Sequence, residues 1–99
     1  ESILLNLQRA CEAAIDLAMH VVRKHRLGIP EQSRDAFDLL ARANLLDADS
    51  TRAMKRMVGL RNIALHDYIR LDMDIVRRVL DDHLHELTAF ARHMIEREG

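Results

Sequence analysis

Apolar residues recur at helical spacing along most of the chain. Ile3, Leu4, Leu7, Ala10, Cys11, Ala14, Ile15, Ala18, Val21 and Val22 advance by steps that keep one face, which predicts a long helix over residues 2–26. Gly28 and then Pro30 predict its end, as a left-handed cap residue followed by a breaker. Ser33 predicts the N-cap of a second helix over 33–43, with Phe37, Leu40 and Ala41 inward and Asn44 as its stop. Asp49 or Ser50 predicts the cap of a third helix over 50–66. Asp72 does the same for a fourth over 73–97, with Asp74 favourable in its first turn. The stripe of that helix is Val76, Val79, Leu80, Leu84, Leu87, Ala91 and Met94, close to a heptad seam. No stretch alternates as a strand would, and there is no repeat or low-complexity segment. The pattern predicts an all-α fold, an antiparallel bundle of about four helices.

Composition agrees with this. Three Gly, one Pro and no Trp in 99 residues leave few breaks between long helices. A chain of this length is one domain, residues 1–99, and buries only about 60–65% of its unfolded surface, so its core is modest. The chain opens at Glu1 inside a helical pattern, and one more N-terminal helical segment is expected before it. Formal net charge is -1, which rules out a global field that would draw in nucleic acid. Any such contact must rest on local cations, and all but Lys24 and Lys55 of the 15 are Arg, the type suited to phosphate. Cys11 is alone and set among Ala10, Ala14 and Ile15, so it reads as an inert buried thiol in a reducing, cytoplasmic compartment. No signal peptide and no apolar run near 18 residues is present, so neither export nor a membrane span is expected.

The third helix departs from a simple stripe. With Arg61 at zero on a helical wheel, Ala53, Met57, Leu60 and Ala64 fall at about 260–320°, an ordinary core face. Arg52, Lys55, Gly59, Asn62 and His66 fall at about 100–180°, a polar face. Met54, Val58 and Leu65 form a second apolar group at about 20–60°, with Arg61 at its edge. An arginine among apolar neighbours is costly unless paired. Two readings account for it: a stem that snorkels outward or meets a carboxylate of another helix, or a second interface, with a homodimer, that sets Arg61 at the rim of a groove.

The chemistry of the chain is concentrated on this helix, in Gly59-Leu60-Arg61-Asn62-Ile63-Ala64-Leu65-His66-Asp67-Tyr68. Arginine supplies a permanent planar cation that fits phosphate oxygens. Histidine gives and takes a proton near neutral pH. Asn62 and His66 are i, i+4 neighbours, so the amide can orient the imidazole. Arg61 and His66 lie about 140° apart on a regular helix, so one phosphate reaches both only if the helix bends or ends, or if two subunits share a cleft. The second apolar group favours two subunits.

Arg61, four residues, His66, one residue, Tyr68 resembles the R-x4-H-x-Y motif of HepT-like toxins in the HEPN superfamily. The likeness extends to the first helix, Leu5 through Ala18, to Leu27-Gly28-Ile29-Pro30 with Ser33-Arg34-Asp35-Ala36-Phe37, and to Met57 through Tyr68. It implies a single HEPN-like helical domain that dimerises through its helices and acts as a metal-independent endoribonuclease, the toxin of a toxin–antitoxin pair. It implies Arg61 and His66 as catalytic residues facing each other across a homodimer cleft, with Asn62 and Asp67 supporting them. It also implies an MntA-type nucleotidyltransferase antitoxin that transfers AMP from ATP to Tyr68, the residue that otherwise contacts RNA. No cofactor is expected.

Other residues read more plainly. His20, His25, His83, His85 and His93 lack the i, i+3 or i+4 pairing of helical metal ligands, so no metal site is expected. Glu12 and Asp16 form an acidic i, i+4 pair that reads as a solvated face or a partner for a core-facing arginine, or alternatively as support for Arg61 or His66 from behind. Met54, Met57, Met73 and Met94 read as core filler. The competing functional class is a non-catalytic helical binding subunit of a two-component minimal nucleotidyltransferase, which would not need the Arg61 and His66 pair.

Overall fold

The computed structural model describes the backbone of residues 2–67 and 73–98, and the side chains of 5–59, 78 and 81–98. Four helices account for nearly all of it: α1 (Ser2–Lys24), α2 (Ser33–Arg42), α3 (Ala48–Asp67) and α4 (Met73–Glu98). There is no strand among the described residues. All four expected helices are present, and the differences lie at their ends.

α1 stops at Lys24 because the chain turns left-handed at Arg26, with φ 54, not at Gly28. Leu27 N–H donates to the Val22 carbonyl at 3.0 Å and Arg26 N–H to the Arg23 carbonyl at 3.2 Å, a Schellman closure. Gly28 has φ 139, a region open mainly to glycine, and an added Cβ there would lie 3.3 Å from Leu39 Cδ2. Asn44 does end α2 as expected: φ is 60, and Leu45 N–H donates to the Leu40 carbonyl at 2.9 Å.

The N-caps sit earlier than expected. Gln32, not Ser33, caps α2, and the Asp35 carboxylate accepts the Gln32 backbone N–H at 3.0 Å. Asp47, not Asp49 or Ser50, caps α3: its carboxylate accepts the Ser50 N–H at 2.6 Å, and its carbonyl accepts Thr51 Oγ1 at 2.7 Å. The expected α4 cap, Asp72, lies outside the described residues.

The core joins all four helices. Leu7, Cys11, Ala14, Ile15, Ala18, Val21 and Val22 of α1 meet Ala36, Phe37 and Leu40 of α2, together with residues of α3 and α4. Phe37 and Phe90 pack edge to face, ring centroids 5.4 Å apart. Phe90, absent from the expected α4 stripe, is buried at 2% exposure, whereas Leu84 and Ala91 are only partly buried and line a shallow apolar groove with Ala10 and Leu17 of α1.

Polar ties set the helix directions. His25 and Lys24, at the end of α1, both reach Glu98, at the end of α4, at 3.0 and 2.9 Å. The long helices at the two ends of the chain therefore run the same way. α3 runs against α4, because His93 Nε2 donates to the Leu45 carbonyl at 3.0 Å while Arg56, further along, faces Glu86. Short α2 wedges between α1 and α3, and Lys55 Nζ ties α3 to Asp38 at 3.0 Å. Among the described residues no helix is long and apolar enough to cross a membrane.

Candidate active site

α3 is held in place before it carries any chemistry. The Asp47 cap fixes its start, and the Ser50 backbone N–H is the main reason the Asp47 carboxyl titrates below the usual aspartate range. Ala53, Met54, Met57 and Val58 then anchor its middle, all of them buried. This corrects the reading of Met54 and Val58 as a second interface. At 1% and 3% exposure they are covered by this chain's own helices and leave nothing for a second copy to bury. α3 has two apolar faces because α1 and α2 pack on it as well as α4. Leu65, the third member of that group, has a side chain outside the described residues.

Arg61, Asn62, His66 and Asp67 occupy the last two turns of α3, which continues unbroken to Asp67. Their side chains and the whole of Tyr68 lie outside the described residues. The backbone alone decides one point: the helix neither ends nor changes type between Arg61 and His66. The two positions are separated by about 7.5 Å of rise and about 140° of rotation. The route to a shared phosphate through an ended helix is therefore absent.

The outer face of α3 leading to these residues carries exposed ion pairs. Arg52 and Arg56 have side chains 63% and 61% exposed. Arg52 pairs with Asp49 one turn back, and Arg56 Nη2 stands 3.6 Å from Glu86 Oε2. Glu86 Oε1 is also 2.8 Å from His83 Nδ1. Gly59 follows Arg56, partly exposed, and a Cβ built on it meets no atom of the described residues within 4 Å. Arg56 was not distinguished by sequence.

Glu12 and Asp16 are both exposed on α1. Among the described residues no group of three or more His, Cys, Asp and Glu side chains could hold a metal ion.

The model of the family described as Ribonuclease HepT-like matches residues 1–94 of the chain. The chain belongs to the ribonuclease HepT-like family. A relative from Shewanella oneidensis, described as an mRNA nuclease HepT, is 52% identical over 90 residues, covering 91% of this chain and 68% of the relative. A crystal structure of a toxin–antitoxin with AMP-PNP superposes with a TM-score of 0.83 at 48% identity, over 96% of this chain and 72% of that one. A second structure, a tri-AMPylated Shewanella oneidensis HEPN toxin in complex with an MNT antitoxin, gives 0.82 at 49% identity, over 94% and 70%. These HepT-like relatives share the four-helix arrangement described above, so the all-α fold and the family agree.

Proposed function

We propose that this chain is the toxin of a toxin–antitoxin pair, a cytoplasmic, metal-independent endoribonuclease that works as a homodimer. The observation that carries the reading is the Arg61-Asn62-x-x-x-His66-Asp67-Tyr68 run, whose first seven positions are the last turns of α3, in a chain 52% identical over 90 residues to an mRNA nuclease.

RNA brings its own nucleophile, the 2′-hydroxyl. The protein must take that proton, return one to the departing 5′-oxygen and stabilise the crowded phosphorane. His66 moves the protons, work that contributes about 10²–10⁴-fold in rate. Arg61 holds the non-bridging oxygens, with a grip that tightens as charge builds toward the transition state. Asn62 orients His66, and Asp67 supports it. The products are a 2′,3′-cyclic phosphate and a 5′-hydroxyl. Because α3 continues through His66, the Arg61 and His66 of one chain start on different sides of the helix, and two copies facing one cleft bring an arginine of one to a histidine of the other.

The antitoxin is a nucleotidyltransferase of the MNT type, by likeness to the toxin–antitoxin complexes above. It transfers AMP to the Tyr68 hydroxyl, which forms a phosphodiester there and releases pyrophosphate from ATP. The added phosphate competes for Arg61 and blocks RNA.

The test is incubation of the purified chain with RNA in EDTA, beside Arg61→Ala and His66→Ala. Cleavage by the parent and its loss in both variants is expected. Equal cleavage in all three samples is contaminating nuclease and would sink the reading.

A further inference from the structure

α1 and α4 run the same way, and Lys24 meeting Glu98 sets their register, so positions that stand level differ by 74 in number. On the side of this helix pair away from α3 lies an apolar groove lined by Ala10, Ala13, Leu17, Leu84, Thr88 and Ala91. Ala10 and Leu84 keep the interval of 74, as do Leu17 and Ala91. Ala13 and Thr88 are exposed, and Ile95, one turn beyond Ala91 on the same face of α4, is 63% exposed. An apolar strip along two helices, ending in a bare isoleucine, suits a covering layer of helix.

The charged edges of the groove decide which layer. Arg9 and Asp16 each stand one residue before a groove position of α1, Ala10 and Leu17, and so share its outer edge. Asp81 and Arg92, eleven residues apart, share the outer edge of α4. All four are exposed. Each edge carries one charge of either sign, which suits neither a polyanion nor a uniformly charged partner. It suits an identical edge turned end for end. The midpoint of Arg9 and Asp16 falls between residues 12 and 13, and that of Asp81 and Arg92 between 86 and 87. These midpoints also differ by 74, so they stand level and one two-fold axis passes both. About that axis Arg9 meets Asp16 of a second copy, and Asp81 meets Arg92, each pair twice. The same turn sets Ala10 against Ala14, which lets two α1 helices approach closely, and Leu84 against Thr88. It also lays the start of α4 of one copy over Ile95 of the other.

We propose that the α1–α4 groove seats a second copy of this chain, antiparallel, with α1 on α1 and α4 on α4. This contact is not the shared cleft. α3 packs on the other side of α1 and α4, so the Arg61 to His66 segments of two copies joined here lie on opposite outer sides of the pair. A chain that uses both contacts assembles beyond a dimer.

The experiment measures the mass of the purified chain by sedimentation over a concentration series, with RNA cleavage in EDTA on the same samples. The variants are Ala13→Arg, Asp81→Arg, and the exchange of Asp81→Arg with Arg92→Asp in one chain. Ala13→Arg puts a cation in the groove and should lower the mass. Asp81→Arg sets like charges together at two places and should weaken self-association at least about ten-fold at low salt. The exchange restores opposite charges and should return it to within about two-fold of the parent. Its positions are exposed, so it reads the contact even where Ala13→Arg disturbs the groove. Cleavage should match the parent throughout. A parent that is monomeric overturns the contact. So does a mass that Ala13→Arg leaves unchanged, which would give the groove to a helix of a different protein. An exchange that recovers nothing overturns the two-fold register, and cleavage lost with Asp81→Arg overturns the separation from the cleft. A parent no larger than a dimer, split to monomers by Asp81→Arg, leaves this contact standing and sinks the shared cleft of the nuclease reading instead.

Discussion

Replacing Phe37 with alanine tests whether α2 is docked as described. Phe37 is fully buried, and its ring meets Phe90 edge to face with centroids 5.4 Å apart. Truncating a buried phenylalanine costs about 3–5 kcal/mol, because the cavity it leaves collapses only in part. The upper half of that range is expected, since Ala36 and Leu40 beside it are themselves fully buried on a ten-residue helix with little room to shift. A chain of 99 residues has about 5–15 kcal/mol of total stability, so this one change removes about a quarter or more. At about 1.5 kcal/mol per molar urea, a loss of about 4 kcal/mol moves the unfolding midpoint down by roughly 2–3 M. Phe37→Leu keeps most of the volume and should cost only about 1–1.5 kcal/mol. Combining it with Phe90→Leu should expose about 0.5–1.5 kcal/mol of coupling, the edge-to-face contact itself. Urea unfolding followed by circular dichroism measures all of these. A loss below about 1.5 kcal/mol for Phe37→Ala would refute the docking of α2, since no buried ring leaves so small a trace.

Two changes at the ends of helices test the polar devices. Glu98 titrates below the usual glutamate range because of Lys24 first and His25 second. A carboxyl lowered in the folded state stabilises above its unfolded value of about 4.3 and loses that contribution as pH falls through the folded value. Thermal melts of the parent and Glu98→Gln should therefore differ at pH 6 and converge near pH 3; a gap that persists in acid would refute the pairing. Asp47→Ala should lower the melting temperature through loss of the α3 cap, while Asp47→Asn, an equally good cap residue, should retain most of it. Equal melting of the two variants would count against the cap.

The helices were legible because their stripes are long and regular. Seven of the ten α1 positions read as inward are buried, Leu7 through Val22, and Asn44 turned where an asparagine stop was read. The ends were less legible because several residues compete for each. Asp47, Asp49 and Ser50 are all good caps, and the choice fell to Asp47 because Leu46 just before it is buried, fixing where the chain enters α3. Arg26 took the left-handed turn that Gly28 was read to take, since Leu27, the next residue, packs on the core and closes α1 two residues sooner. The second apolar group of α3 was visible in the wheel, but its partner was not. A wheel counts faces without saying whether the same chain supplies the cover, and here it does. At the site, Arg61 and His66 stood out by residue type, while their side chains lie outside the described residues.

The helix directions divide the labour within this small chain. α1 and α4 run together and are clasped at their C-terminal ends by Lys24, His25 and Glu98, with His93 and the Leu45 carbonyl just inside the clasp and the Asp47 cap next to it. α3 starts at that end and runs away from it, so His66 lies about 30 Å down the helix axis from the clasp. That span is nearly four Debye lengths at physiological salt (about 8 Å each), too far for the charges of the clasp to influence a proton at His66. Coupling between the two ends must pass through packing, along Ala53, Met54, Met57 and Val58. Loss of the clasp should therefore lower stability without changing the pH dependence of RNA cleavage. An α3 core substitution such as Met57→Ala acts on the segment that carries Arg61, and it should reduce cleavage by more than the loss of folded chain accounts for.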